Sequence, residues 1–315
     1  MTKEVTLLFP GQGAQYVGMG KNLESGIFFD YLERANKALG YDLSKIMLEG
    51  PEEELTLTQN TQPAILTHSV ALLEKVKPIL AKKNMKIGRV MGHSVGEYAA
   101  LVAAGVLSFE DAVRAVHLRG KYMQAATPEG VGGMVAVLKV PASIVKLACE
   151  SVSNDQEKVM PANFNEPEQV VISGHKTACD KAVKWLADSH KEPHRCVELK
   201  VSAPFHSSLM KPAADNLKVE LDKIDFKSNT IPYIANIDAN IYEAGTSTDT
   251  IRDNLFRQVE GSVQWTQSFE KLEDDTLCLE VGPGRVLMGL ARKINRNVKV
   301  MCLDKEETFK ELEEL

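Results

Sequence analysis

Residues 87–104 join a short apolar run, a glycine-bounded serine turn and a run of helix-forming residues, and this combination limits the fold more than any other feature. The apolar run at 87–91 indicates a buried strand, and residues 97–104 are rich in helix formers. The G-x-S-x-G turn at 92–96 centres on Ser94 and is typical of a nucleophile elbow, which exposes a serine hydroxyl above a parallel sheet. An ordinary glycine turn is the alternative.

Length and charge exclude several classes of protein. A chain of 315 residues that is 44% apolar supports a sizeable core, in one α/β domain with an insertion or in two domains. The net charge of -6 and the lack of a long basic run argue against nucleic-acid binding. No apolar run reaches the roughly 18 residues that a membrane span requires, so we expect a soluble, cytoplasmic protein with no membrane partner.

The cysteines are odd in number, widely spaced and without a C-x-x-C pair. This pattern argues against a disulfide framework and against a zinc site, so we expect small, reduced core residues and no bound metal. They are Cys149, Cys179, Cys196, Cys278 and Cys302.

The first 128 residues alternate strands and helices. A strand at 5–9 leads through the glycine-rich loop at 10–15 to an amphipathic helix at 27–39, and a buried helix at 64–79 precedes the next strand. Such alternation predicts a mainly parallel sheet covered by helices on both faces, with ligands at the carboxyl ends of its strands. We assign residues 1–128 to the first part of a large, hydrolase-like α/β subdomain.

Residues 129–200 differ from the preceding residues in their order of strand and helix patterns, and this order predicts an inserted ferredoxin-like α+β subdomain. The pattern is strand, helix, strand, helix, strand, with strands at 134–138 and 169–172 and helices at 142–151 and 177–187.

Residues 201–315 return to the large subdomain as its second part. We predict a helix at 209–221, followed by short strands at 231–235, 277–281 and 298–302. The charged tail at 305–315 is predicted to be a solvated or frayed helix.

A serine hydroxyl is a poor nucleophile at neutral pH, so Ser94 requires a base. Among the seven histidines, His206 lies in a proline-bent segment after a strand-like run, where side chains commonly face a cleft, and we take it as the base. His93, beside the serine, is the alternative.

The tetrahedral oxyanion requires hydrogen-bond donors. The backbone amides of Gln12, in the Gly11-Gln12-Gly13 loop, and of Val95, directly after the nucleophile, are candidates from two loops. The glycine loop is equally compatible with phosphate binding or with a simple turn.

Arg119 follows residues 112–118 of a predicted, mostly apolar helix, where a guanidinium is costly unless it meets an anion. Its planar fork suits a carboxylate, so Arg119 is a candidate for binding a free acid group of a substrate. An internal ion pair is the alternative, and for a lone arginine it is the more common case.

Seven segments, by their order and spacing, resemble the malonyl-CoA:acyl carrier protein transacylase family over nearly the whole chain. They are Phe9-Pro10-Gly11-Gln12-Gly13-Ala14-Gln15, Gly92-His93-Ser94-Val95-Gly96-Glu97-Tyr98, Arg119-Gly120, Asn163-Phe164-Asn165, Pro204-Phe205-His206-Ser207, Val263-Gln264-Trp265 and Glu280-Val281-Gly282-Pro283-Gly284.

The resemblance implies that Ser94 is the acylated nucleophile and His206 its base. It implies that the main-chain carbonyl of Gln264 orients the imidazole in place of a carboxylate, and that Gln12 and Val95 supply the oxyanion-hole amides. These five residues would make a Ser-His dyad with its donors.

By the same resemblance, Arg119 pairs with the malonyl carboxylate, and Phe205 leaves less room for a branched acyl group. An acetyl group would leave the buried guanidinium unpaired, at a cost of about 2 to 5 kcal/mol. The remaining implied contacts are two asparagines facing the cleft, two methionines near the acyl pocket and one arginine near the coenzyme A phosphates: Asn163, Asn165, Met123, Met134 and Arg195. Turn residues and core filler are the alternatives for the asparagines and methionines.

The implied reaction is a ping-pong transfer of malonyl from malonyl-CoA to the phosphopantetheine thiol of acyl carrier protein, in fatty-acid or polyketide synthesis. Coenzyme A enters as a thioester substrate, no cofactor is tightly bound, and we expect a monomer. Because carrier proteins are acidic, basic side chains are candidates for docking them, namely Lys191, Arg195, Lys200 and Lys211. A serine hydrolase and a non-enzymatic carrier-binding subunit are the rival functions.

Overall fold

Two β-sheets form the framework of the protein. The computed structural model describes residues 3–21, 23, 26–199 and 203–314. Its strands are β1 (Lys3–Phe9), β2 (Met85–Gly92), β3 (Gly132–Leu138), β4 (Val159–Glu166), β5 (Gln169–His175), β6 (Arg195–Glu198), β7 (Tyr233–Ile234), β8 (Ile241–Tyr242), β9 (Leu277–Glu280) and β10 (Lys299–Cys302).

Helices cover these sheets and account for most of the remaining chain. They are α1 (Gly26–Leu39), α2 (Leu43–Glu49), α3 (Glu52–Thr56), α4 (Thr58–Lys82), α5 (Gly96–Ala103), α6 (Phe109–Ala125), α7 (Ala142–Val152), α8 (Lys176–Ser189), α9 (Lys211–Leu221), α10 (Thr248–Glu260), α11 (Trp265–Phe269), α12 (Val286–Ile294) and α13 (Glu306–Glu314), with a 3-10 turn at Ser208–Met210.

The larger sheet has the strand order β10-β9-β1-β2-β7-β8 and is parallel except for its last pair. This confirms the predicted mainly parallel sheet. Phe9 lies opposite Gly92 at the carboxyl ends of the central strands β1 and β2. The His93 amide donates to the Phe9 carbonyl oxygen at 2.9 Å, so the loop after β1 and the turn after β2 begin side by side.

The smaller sheet is antiparallel, with the order β4-β5-β3-β6. Its chain order, β3-α7-β4-β5-α8-β6, is that of a ferredoxin-like fold, and the predicted fold class is confirmed. The predicted strand, helix, strand, helix, strand order was wrong by one strand, because β4 was not recognised. β4 contains Pro161 and the polar Asn163 and Asn165, and its pairing with β5 is irregular at two places, so it lacks the apolar alternation of a strand.

Hydrogen bonds join β4 to residues 262–266, just before and at the start of α11, and we call this contact the interdomain seam. The Phe164 amide donates to the Val263 carbonyl oxygen at 2.9 Å, and the Val263 amide donates to Ala162 at 2.8 Å. The hydroxyls of Ser262 and Thr266 donate to further backbone carbonyls of β4 at 2.6 and 3.0 Å. The small sheet is thereby fixed to the large one near the carboxyl ends of β1 and β2.

Helix α6 packs closely against α4, and this contact positions Arg119. A Cβ atom at Gly120 would lie 2.5 Å from the Thr58 carbonyl oxygen, so only glycine permits the two helices to approach this closely. Ser108 caps α6 by accepting the Asp111 amide at 3.1 Å. The arginine therefore projects from a fixed helix into a buried space beside α4.

The acidic C-terminal tail is packed and not solvated, contrary to the prediction. Phe309 and Leu312 on α13 are 2% and 0% exposed, and Lys75 of α4 lies over the Phe309 ring at 4.4 Å. The tail was predicted to be solvated because most of its residues are charged, but its two apolar residues lie one turn apart and form a buried stripe.

Three further observations concern the predicted organisation. The boundary between residues 200 and 201, like Lys200 itself, lies outside the described residues, so the domain limits stay a prediction. Within the described ranges, no helix is both long and apolar enough to cross a bilayer. All five cysteines are unpaired; Cys149, Cys179 and Cys278 lie in the core as predicted, whereas Cys196 and Cys302 are only partly buried.

Candidate active site

Ser94 occupies a strained turn between β2 and α5. Its φ of 51° lies in the left-handed region, which non-glycine residues rarely adopt. A Cβ atom at Gly92 would lie 2.1 Å from the Gly96 carbonyl group, and one at Gly96 would lie 2.1 Å from the Phe9 carbonyl oxygen. The glycines of the motif are therefore required by the close approach of β1, β2 and α5, and this packing supports the elbow.

The nucleophile and the predicted base are in contact. Ser94 Oγ and His206 Nε2 are 2.8 Å apart. On the other side of the ring, Nδ1 lies 2.9 Å from the Gln258 carbonyl oxygen and 3.2 Å from that of Gly261. These two carbonyls, and not that of Gln264 as predicted, contact the ring, and the Gln264 carbonyl oxygen accepts the Ser268 amide at 2.9 Å in α11.

The environment of His206 fixes its protonation. Burial, together with the positive charge of Arg119, lowers the pKa of His206 to about 3. Backbone carbonyls can only accept hydrogen bonds, so Nδ1 carries the ring hydrogen and Nε2 presents a lone pair to the Ser94 hydroxyl. The imidazole is thus a neutral base at pH 7.

Arg119 is 1% exposed, and its guanidinium is held by neutral oxygens. Its Nη1 donates to Gln62 Oε1 at 2.8 Å, and Nη2 donates to Gln258 Oε1 at 3.0 Å and to Ser94 Oγ at 3.1 Å. No residue in the described part of the chain forms an ion pair with it, so the internal ion pair is not present. Burial lowers the pKa of Arg119, and the nearby Glu97 carboxyl group, which does not bond to the guanidinium, offsets only part of this effect.

A cavity of about 180 Å³ lies in front of the serine, between the two sheets. The residues that line it are Gln12, Gln62, His93, Ser94, Arg119, Met123, Met134, Asn163, Asn165, Val171, Leu199, Phe205 and His206. Most predicted site residues therefore meet in one place. Val95, Gln264 and Arg195 lie outside this lining, and Gln264 instead lines a larger groove of about 890 Å³ on the other side of β4.

The cleft asparagines belong to β4 and are not turn residues. Asn163 is 7% exposed, and Asn165 Oδ1 lies 2.8 Å from His93 Nε2. Burial lowers the pKa of His93, so this ring is also neutral. Because His93 is engaged by Asn165 whereas His206 contacts Ser94, the geometry favours His206 as the base.

One of the two predicted oxyanion donors lines the cavity, and the other directly follows Ser94 in the chain. Gln12 lines the cavity, and Val95 directly precedes α5, whose first three amides donate to the carbonyls of residues 93–95. The Ser94 amide is not available, because it donates to Asn236 Oδ1 at 2.6 Å. The arrangement is compatible with an oxyanion hole, and the roles of Gln12 and Val95 stay predictions.

Sequence reasoning missed four residues around the nucleophile: Gln62, Glu97, Asn236 and Gln258. The best signal lay in α10, where Asn254 and Gln258 share the buried face with apolar neighbours and so are polar residues at core positions. Gln62 gives a similar signal at the buried start of α4.

The predicted basic contacts lie away from the cavity. Arg195 is exposed and pairs with Leu138 in the small sheet, about 13 Å along β6 from Leu199 of the cavity wall. Lys191 and Lys211 are also exposed. Across the described ranges, no cluster of histidine, cysteine and carboxylate side chains could hold a metal ion.

Comparison with known proteins agrees with this geometry. Residues 6–287 match the family model described as acyl transferase domain. A malonyl CoA-acyl carrier protein transacylase from Bacillus subtilis (strain 168) is 42% identical and matches over 97% of this chain and 95% of its own length. A relative of the same name from Escherichia coli (strain K12) is 45% identical, over 92% and 93%.

Solved structures agree as well. A malonyl-transacylase determined with a type II PKS acyl-carrier protein has a TM-score of 0.91 and 39% identity, covering 99% of both chains. The malonyl CoA-acyl carrier protein transacylase of Coxiella burnetii has a TM-score of 0.92 and 35% identity, covering 100% of this chain and 98% of its own. With a serine-histidine pair and a buried arginine in the matched region, this chain belongs to the malonyl CoA-acyl carrier protein transacylase family.

Proposed function

We propose that the protein moves a malonyl group from malonyl-CoA to the phosphopantetheine thiol of an acyl carrier protein, through a malonyl ester on Ser94. The observation that carries this proposal is that Ser94 Oγ touches both a neutral imidazole and a buried guanidinium held only by neutral oxygens. A hydrolase elbow needs the first contact, whereas only an acyl group with its own carboxylate uses the second.

The first half of the reaction loads the serine. His206 Nε2 accepts the hydroxyl proton while Ser94 Oγ attacks the thioester carbonyl carbon, and the Gln12 and Val95 amides stabilise the oxyanion. The carbon–sulfur bond then breaks, and the proton on Nε2 passes to the coenzyme A thiolate. The second half reverses these steps: the carrier thiol gives its proton to Nε2, its sulfur attacks the ester, and Oγ leaves with the proton.

The acyl preference follows from Arg119. Malonate attached to Ser94 places a carboxylate one methylene beyond the ester, where the guanidinium fork can pair with it. An acetyl ester leaves that fork without an anion, so the guanidinium discriminates between the two. Met123, Met134 and Phe205 line the same cavity and limit its size, which disfavours larger acyl groups.

The long substrates extend beyond the cavity. We propose that Arg195 contacts the coenzyme A phosphates, which the length of a pantetheine arm allows, and that Lys191 and Lys211 assist docking of the acidic carrier. The malonyl carrier thioester then serves fatty-acid or polyketide synthesis. We also propose a cytoplasmic location, supported by five unpaired cysteines that suit a reducing compartment.

One acylation experiment tests the central proposal. The protein is mixed with malonyl-CoA, and intact-mass and peptide mass spectrometry follow a malonyl adduct on Ser94, with Ser94→Ala as the control. We expect the adduct to form with release of one coenzyme A and to be discharged by a carrier thiol. No adduct at saturating donor would leave the non-enzymatic subunit as the better explanation. An adduct lost to water faster than to the carrier would favour the hydrolase.

A further inference from the structure

Glu97 is a buried carboxyl group directly behind the nucleophile, and none of the steps above uses it. It follows Ser94 by one turn at the start of α5 and is 1% exposed. Burial raises the pKa of Glu97 to about 7. A carboxyl group in such a place lowers stability unless its partners compensate, so its contacts indicate what it does.

A single oxygen of this side chain makes both of its hydrogen bonds. Glu97 Oε2 accepts the Asn236 backbone amide at 3.1 Å and the Gln258 side-chain amide at 2.7 Å. The other oxygen, Oε1, is buried and has no hydrogen-bond partner among the described residues. The Glu97 carboxyl group therefore accepts hydrogen bonds through one oxygen only, at the distance from the α5 backbone that its side-chain length sets.

The two residues anchored by Glu97 hold the Ser94 backbone from opposite sides. Asn236 Oδ1 accepts the Ser94 amide at 2.6 Å, and Asn236 Nδ2 donates to the Gly92 carbonyl at 2.6 Å. Gln258 Nε2 donates to the Ser94 carbonyl at 3.1 Å. Asn236 and Gln258 thus bond the peptide groups on both sides of Ser94, and both also donate to Glu97 Oε2. We call this arrangement the clamp.

This clamp matters because the Ser94 backbone is strained. A residue with φ of 51° persists only where its surroundings impose it. Relaxation of the turn would move Oγ away from His206 and Arg119, and a displacement of about 1 Å can slow a reaction about a hundredfold.

We propose that Glu97 is a positioning residue of acyl transfer, whose one oxygen anchors Asn236 and Gln258 and thereby holds the strained Ser94 peptide in its reactive geometry. The inference rests on the proposed function of Ser94. This role requires the reach of the side chain, that is, its full length, because one acceptor oxygen at that length makes both hydrogen bonds. It does not require the negative charge.

Three variants separate reach from charge. Glu97→Gln keeps the length and one acceptor oxygen without the charge, Glu97→Asp keeps the charge but is one methylene short, and Glu97→Leu keeps the volume without an acceptor. Acylation by saturating malonyl-CoA is measured by stopped flow, per folded molecule as judged by circular dichroism. We expect Glu97→Gln to be slowed about threefold, Glu97→Asp about tenfold or more, and Glu97→Leu about a hundredfold.

The order of the first two variants decides the matter. A role in electrostatics would make Glu97→Asp the faster one, and this order would overturn the proposal, as would three variants that all acylate at the wild-type rate. A KM for malonyl-CoA within about threefold of wild type is also expected, because ground-state binding is not what the clamp provides. If Glu97→Leu does not fold, the other two still give the answer. Failure of the wild type to form an adduct would instead refute the proposed function.

Discussion

The Nη2 nitrogen of Arg119 lies 3.1 Å from Ser94 Oγ, so the side chain proposed to bind the acyl carboxylate touches the nucleophile itself. Before acylation the guanidinium donates to a hydroxyl. After acylation Oγ is an ester oxygen, a weaker acceptor, and the malonyl carboxylate lies one carbonyl and one methylene group away. The guanidinium can therefore exchange a neutral contact for a charged one with little movement. In this proposal, the contact between Arg119 and Ser94 places the nucleophile and also brings the guanidinium to the acyl group.

Replacing Arg119 by alanine is expected to lower kcat/KM for malonyl-CoA by at least about thirtyfold, because the acyl carboxylate would be buried without its partner. The rate with acetyl-CoA should fall much less, so the preference between the donors shifts toward acetyl. Arg114→Ala is the matched control, since Arg114 lies on the same helix but is exposed and pairs with Asp111. An unchanged preference in Arg119→Ala would refute the role given to this residue.

The acylation rate should persist at acidic pH. The pKa of His206 is lowered to about 3, so the imidazole stays neutral, and able to accept a proton, as the pH falls from 7.5 to 5. We expect the rate at pH 5 to lie within about fivefold of that at pH 7.5, whereas an imidazole of ordinary pKa would lose about thirtyfold. Rapid-quench measurement of the malonyl adduct at saturating donor gives the profile. A loss with its midpoint near pH 6.5 would contradict the protonation assigned here.

Gly96→Ala should prevent folding or lower the free energy of unfolding by more than about 3 kcal/mol, because the new Cβ would lie 2.1 Å from the Phe9 carbonyl oxygen. Gly289→Ala is the counterpart, since nothing lies within 4 Å of its Cβ position in α12. It should stabilise by about 0.5 to 1 kcal/mol through helix propensity. Urea unfolding of both variants measures the difference, and equal stabilities would show that the elbow tolerates a wider turn.

Phe309→Ala should destabilise the protein by about 3 kcal/mol, because it removes a ring that is 2% exposed between α13 and α4. Lys310→Ala on the same helix is an exposed control and should change stability by less than about 0.5 kcal/mol. Thermal unfolding distinguishes the two. A Phe309→Ala midpoint equal to wild type would mean that the tail is solvated, as its charge pattern had indicated.

Local pattern was enough to predict the elbow, because strand, turn and helix around Ser94 are contiguous in the chain. His206 could be selected by its bent, cleft-facing segment. The carbonyl that orients it could not, since every residue has a carbonyl and only the path of the chain decides which one approaches Nδ1. The family resemblance implied Gln264, whereas the structure has Gln258 and Gly261.

The hydrogen-bond partners of Arg119 could not be predicted from the sequence either. Whether a buried guanidinium meets a carboxylate or amide oxygens depends on which face of α4 and α10 turns toward α6. Gln62 and Gln258 carry no charge that would mark them as partners. Polar residues at core positions of otherwise apolar helix faces were the available sign, and they indicate buried networks more reliably than they indicate chemistry.

The interdomain seam has a consequence for how the two thiols are exchanged. Hydrogen bonds from Val263, Ser262 and Thr266 tie β4 to the large subdomain beside His206, so the two walls of the cavity are joined to each other without any substrate. Coenzyme A and the carrier arm can then replace one another without breaking the contact between these walls. The malonyl group stays on Ser94 in the cavity, and only the thiol outside the cavity differs between the two half-reactions.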